Sequence, residues 1–185
     1  MKFNVYGPFT LKLSKRTNLI TKESMASLIS DVEAVEEGLS EACGCYVFCV
    51  QARGIVPWYV GQANKSALVT EALNASNREK YNEVMFKRDG KMAMSKRHGT
   101  PMLFLLPKLT PSGKSFAKSA NSSNGIKSID FLEEWLIANS LQKNPEMKNN
   151  KKTYLLRNIH VKGIFNANQG EATNPSTKLK NALGL

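Results

Sequence analysis

Two phenols, one helix-borne carboxylate and a scatter of cations are the residues of this chain best suited to work on a phosphate ester. Tyr46 and Tyr59 lie in short apolar stretches, Cys45 to Val50 and Val56 to Val60, that read as strands, with Arg53-Gly54 as a turn signal between them. A two-residue turn there would set Tyr46 opposite Gly61 and Phe48 opposite Tyr59, placing both phenols and Gly61 on one face. An odd loop would separate the phenols, and the even loop is the expectation. A glycine beside two phenols lets a ligand backbone come close. The competing reading is that both tyrosines are ordinary strand residues. Phosphodiester hydrolysis needs an activated water, a neutralised phosphate and a stabilised leaving oxygen. A phenol, with an ordinary pKa of about 10, takes a proton from water only where a metal or cation lowers it.

The other candidates sit on two expected helices. Ser66 to Met85 is helical by pattern, with a break near Asn74 to Asn77, and carries Glu71, Arg78 and Lys80. Ser128 to Gln142 is the clearest helix, with Ser128 as N-cap and Phe131, Leu132, Trp135, Leu136, Ala138 and Leu141 as its apolar face. Glu133 precedes Leu136 and Ile137 by three and four residues, so it borders that face and needs a partner. A salt bridge to a lysine and a metal ion both satisfy that need.

Gly44-Cys45-Tyr46 followed by Tyr59-Val60-Gly61 resembles the paired triplets of the GIY-YIG nuclease family. Leu132-Glu133-x-x-Leu136-Ile137, then Pro145 and Asn149 or Asn150, resembles that family's later segments, in the same order. The resemblance spans residues 43–150 and implies an α+β fold, a small three-stranded antiparallel sheet flanked by helices. The first hairpin strand would be central and the second an edge, which suits Pro57. Residues 1–42 and 151–185 would then be strand and helix extensions of a nuclease core. The resemblance also implies a metal-dependent endonuclease with one Mg²⁺ or Mn²⁺ on Glu133 and Tyr46 favoured over Tyr59 as the base. The family arginine falls at Val69 or Thr70 here, so Arg78 or Lys80 would supply the cation. Glu71 would be a second acid or a surface residue, and Asn149 would hydrogen-bond a tyrosine or the phosphate.

The remaining composition is compatible with such a partner. The 185 residues carry a net charge of +11, and ten Lys or Arg face three acids between Ser76 and Ala120. An uneven positive surplus favours a polyanion, with DNA expected before RNA. Two other readings remain: an inactive nuclease-fold module that binds nucleic acid through its basic face, and a protein-interaction domain. Cys43, Cys45 and Cys49 read as small buried thiols of a reduced, cytoplasmic protein. No apolar run is long enough to span a bilayer, so no membrane partner is expected. Of the flanks, residues 3–13 read as strands broken at Gly7-Pro8, and Thr21 caps a helix over Met25, Leu28, Ile29 and Val32 with Asp31, Glu33, Glu36 and Glu37 solvated. Lys87 to Arg97 reads as a polar stretch turning at Asp89-Gly90, and Pro101 to Leu106 as a buried strand. Leu109 to Gly125 reads as a basic loop, Asn158 to Phe165 as strand-like, and Pro175 as the start of a short helix. His98 and His160 are given surface or core roles rather than catalytic ones.

Overall fold

The computed structural model describes residues 1–89, 93–96, 99–118, 123–159, 161, 163–164 and 172–184. His98, His160, Gly90 of the expected turn, and Lys162 and Phe165 of the expected strand-like stretch lie outside them. Four antiparallel strands form the main sheet: β1 (Tyr6–Thr10), β2 (Gly44–Gln51), β3 (Ile55–Ala63) and β6 (Thr100–Pro107), in the order β1-β6-β2-β3. The fold is therefore α+β, but the sheet has four strands where three are expected, because the N-terminal segment adds β1 beside β6. The chain does not break at Gly7-Pro8. A register shift between Tyr6 and Phe9 absorbs the pair, and a proline is tolerated because β1 is an edge.

β2 is buried along all but its last residue, which explains why its sequence shows no polar alternation. Tyr46, Phe48 and Val50 face α1 (Lys22–Glu33), α2 (Leu68–Ala72) and α3 (Ala75–Met85) through Leu28, Val32, Leu68, Val69 and Tyr81. Cys43, Cys45, Val47 and Cys49 face α4 (Ser123–Lys143) through Ile129, Ile137 and Leu141. The three thiols are buried and unpaired, and burial pushes each one up from the ordinary cysteine range. α1 is capped by Thr21 as expected. Glu33 is only partly solvated: its carboxylate accepts the Gly38 and Ser40 N–H groups at 2.7 and 2.8 Å and closes the loop into β2.

Four further expectations need correction. α4 starts at Ser123, not after a Ser128 cap. Its buried stripe is Ile129, Ile137, Ser140 and Leu141, while Phe131 and Trp135 are 70% and 54% exposed. The helix is apolar on more than one side, and the sheet covers only the side that also carries Glu133. The polar stretch after α3 pairs as a ribbon of β4 (Phe86–Asp89) and β5 (Ala93–Lys96). Finally, Tyr154–Asn158 is a helix, α5, where a strand-like stretch is expected to begin at Asn158; α6 (Asn174–Ala182) opens with Pro175 in its first turn, as expected.

Candidate functional site

The β2–β3 register pairs Tyr46 with Gly61 and Phe48 with Tyr59, as expected. It arises differently from the two-residue turn. Gln51 pairs with Ile55 across three residues, 52–54, and a bulge between the Phe48 and Cys49 pairs restores the register by inserting Trp58. The two tyrosines therefore share a face, with ring centroids 6.4 Å apart.

Their surroundings differ. Tyr46 is 1% exposed, and its hydroxyl accepts a hydrogen bond from Asn77 Nδ2 at 2.8 Å. Burial, then the neighbouring Tyr59 and Glu71, push this phenol far above its ordinary value. A Cβ at position 61 would overlap the Tyr46 ring. Gly61 thus makes room for a tyrosine of its own hairpin rather than for a ligand backbone. Tyr59 is half-buried and borders a cleft. Burial raises it to about 12, with Glu133 and Glu71 adding to the rise. Lys80 Nζ donates to the Tyr59 hydroxyl at 3.3 Å and to Asn77 Oδ1 at 3.2 Å, and stands 4.6 Å over the Tyr59 ring. Tyr46, Asn77, Lys80 and Tyr59 form one polar chain from core to surface. Asn77 was not legible as a member, because its only local signal is its place in the first turn after the Asn74 cap.

Arg78 and Glu71 lie away from the cleft. Arg78 Nη1 donates to the Leu73 carbonyl at 2.8 Å, satisfying the end of α2. Glu71 accepts from Ser66 Oγ at 2.8 Å and Asn74 Nδ2 at 3.1 Å, fixing the corner between α2 and α3. Asn149 touches neither tyrosine by hydrogen bond. Its side-chain amide accepts the Val60 N–H at 2.9 Å and donates to the Val60 carbonyl at 2.8 Å, acting as one residue of a missing strand. Asn144 Nδ2 bonds the Pro57 carbonyl and Lys148 N–H the Trp58 carbonyl, so residues 144–149 cover the outer edge of β3.

That covering segment forms the far wall of a cleft of about 340 Å³. Tyr59, Gln62, Lys80 and Glu133 line one side, and Lys148, Asn149, Asn150, Lys151 and Lys152 the other. Glu133 is only 12% exposed in its side chain and is bonded by Lys152 Nζ at 3.0 Å. The same ammonium reaches Glu134 at 3.4 Å and Asp130 at 3.5 Å. Burial raises Glu133 above the ordinary carboxylate range, against the pull of Lys152. For Lys152, burial acts downward, but Glu133, Asp130 and Glu134 outweigh it and hold the ammonium above its ordinary value. Gln62 Nε2 donates to Asp130 at 2.7 Å, tying β3 to α4. Lys148 pairs with Glu83 at 3.2 Å, whereas among the described residues Lys80 and Lys151 have no acidic partner. No group of three or more His, Cys, Asp or Glu among the described residues is arranged to hold a metal ion. A larger cavity, about 420 Å³ beside Tyr6 and Phe116, holds none of the sequence-selected residues.

Among the described residues, no helix is long and apolar enough to cross a membrane. Comparison with known proteins finds no match among family models, curated proteins or solved structures.

Proposed function

We propose that this chain is a nucleic-acid-binding module with a GIY-YIG-like hairpin, and that the cleft beside Tyr59 receives the phosphate backbone. The observation that carries this reading is the convergence of Lys80, Lys148, Lys151 and Lys152 on one cleft, with Lys80 and Lys151 free of acidic partners among the described residues. Phosphate contacts of this kind give affinity without sequence readout. The net charge of +11 would draw a polyanion toward the cleft. DNA is the first partner to test.

A metal-dependent nuclease is the second reading, favoured by Tyr59 and Glu133 facing the same cleft. The residues present fit it poorly. Tyr46 is sealed from solvent and raised, which opposes a role as base. Glu133, the carboxylate that would hold Mg²⁺ or Mn²⁺, already carries an ammonium at 3.0 Å, and an ion placed there would meet that positive charge.

Fluorescence anisotropy with labelled single-stranded and duplex DNA over a salt series tests the reading. Lys80→Ala with Lys151→Ala should weaken binding and lower the salt slope by about 2, since each phosphate contact contributes about 0.9. Unchanged affinity in that double variant would remove the cleft from binding. Mg²⁺-dependent nicking of plasmid by the wild type, lost in Glu133→Ala, would establish the second reading instead.

A further inference from the structure

One ammonium held by three carboxylates is an unusual use of a lysine in a cleft that otherwise gathers positive charge. Lys152 lies 3.0 Å from Glu133, 3.4 Å from Glu134 and 3.5 Å from Asp130, three acids of one stretch of α4. Glu133 is the most enclosed of the three, at 12% against 37% and 55% side-chain exposure. A buried carboxylate needs a partner, and removing the partner leaves a costly uncompensated charge. Lys152 also sits in the wall that Asn144, Lys148 and Asn149 fasten to β3.

We infer that Lys152 is a built-in counter-ion that fills the place a divalent cation would take beside Glu133, so that phosphate binding in this cleft needs no divalent ion. The inference rests on the cleft being the phosphate-binding site. Two geometric facts support it. The carboxylate that could bind an ion inside the cleft is hydrogen-bonded to an amine carried by the chain itself. Three carboxylates also share that one ammonium, at 3.0, 3.4 and 3.5 Å, so the positive charge beside Glu133 is already supplied. The convergence at 3.0–3.5 Å suits N–H···O bonds and is longer than the roughly 2.0–2.6 Å at which oxygen ligands meet Mg²⁺ or Ca²⁺. Without the ammonium, the oxygens would have to close in by about 1–1.5 Å to reach Mg²⁺ distances. The lysine therefore blocks an ion electrostatically and by occupancy.

The consequence is specific. Wild-type affinity for an oligonucleotide should be the same within about twofold in EDTA and in Mg²⁺, compared at equal ionic strength. Lys152→Ala should bind roughly tenfold more weakly in EDTA, having lost a cation and exposed three acids, and should recover in Mg²⁺ or Mn²⁺. Mn²⁺ electron paramagnetic resonance gives a readout free of nucleic acid. The wild type should take up no Mn²⁺ at this place, Lys152→Ala should take up one ion per chain, and adding Glu133→Gln should remove it. Lys152→Arg should behave as wild type. If Lys152→Ala does not fold, Lys152→Gln and the wild-type measurements decide the matter.

Wild-type Mn²⁺ binding that disappears in Glu133→Gln would overturn the inference. So would wild-type oligonucleotide binding that collapses in EDTA, or a folded Lys152→Ala chain that takes up no Mn²⁺. Should the wild type bind no nucleic acid under any condition, the functional reading fails, while the Mn²⁺ experiment still decides whether the lysine stands in an ion's place.

Discussion

Asn149→Ala separates an edge-strand cap from a site residue by magnitude. The wild-type amide satisfies both backbone groups of Val60, a residue with no exposure, through bonds of 2.9 and 2.8 Å. Removing it leaves one buried N–H and one buried C=O without their partner. Each orphan costs about 1–3 kcal/mol, so the variant should lose about 3 kcal/mol. With a urea dependence of about 2 kcal/mol per molar, the unfolding midpoint should fall by roughly 1.5 M at unchanged slope. Asn149→Asp sharpens the test. Its carboxylate can still accept the Val60 N–H but presents a second acceptor to the Val60 carbonyl. The deficit should be at least as large at pH 7 and should shrink below about pH 4, where a protonated acid can donate to that carbonyl. Equilibrium unfolding monitored by circular dichroism reads all three proteins. A midpoint shift below about 0.3 M, accompanied by lost oligonucleotide binding, would refute the reasoning and return Asn149 to the site.

Three further outcomes are expected. Gly61→Ala forces a methyl group into the Tyr46 ring, which the core holds on every side, and should cost about 1–3 kcal/mol by overpacking, seen as a lower Tm with altered near-ultraviolet circular dichroism. Glu33 is held below the ordinary carboxylate range by the hydrogen bonds from Ser40 and Gly38. Its contribution is present above the unfolded value of 4.5 and is lost as pH falls through the lower folded value, so Glu33→Gln should flatten the acid limb of a stability–pH curve. Trp135→Ala and Phe131→Ala should change stability by no more than about 0.5 kcal/mol, because both side chains are exposed; a loss of several kcal/mol would mean that they are packed in solution.

The hairpin strands were legible as β-branched and aromatic runs and Pro101 to Leu106 as an apolar run, whereas the place of β2 between β3 and β6 was implied by the resemblance. The Tyr46–Gly61 register was predicted correctly from the wrong turn: a three-residue loop and a one-residue bulge cancel, and neither leaves a mark in the hydrophobic pattern. β1 was legible as a strand, but its continuity and its place in the sheet were not. Gly7-Pro8 reads locally as a breaker, and only the partner strand β6 makes an interrupted edge strand worthwhile. On α4, single-sequence periodicity ranked Phe131 and Trp135 as core by size. The sheet chose the face through Ile129, Ile137 and Leu141, and that choice is tertiary. In the cleft, Tyr59, Lys80 and Glu133 were found by residue type, and Asn149 was found at the right place with the wrong partner. Lys151 and Lys152 fell beyond the span of the resemblance and Lys148 carried no signal within it, since nothing in their spacing says that the chain turns back along β3.

The paired triplets themselves have a packing explanation, and it bears on where any activity must reside. Gly44 is required because a Cβ there would overlap the Leu106 carbonyl of the neighbouring strand, and Gly61 is required because the Tyr46 ring covers it. Tyr46 in turn is enclosed and bonded to Asn77, so its ring and hydroxyl both serve the core. Three of the four outer residues of the Gly44-Cys45-Tyr46 and Tyr59-Val60-Gly61 pattern are thus accounted for by the fold alone. A chain that had never cut a phosphodiester would keep them. Tyr59 is the exception: half-buried, overlaid by Lys80 and open to the cleft, it is the member whose identity packing leaves free. Tyr59→Phe keeps the ring beneath Lys80 and removes only the hydroxyl. Its effect on oligonucleotide affinity therefore measures what the cleft asks of the pattern. A fall of severalfold with unchanged stability would place the phenol against the ligand. No change in affinity would leave the lysines as the binding groups and the entire pattern as architecture.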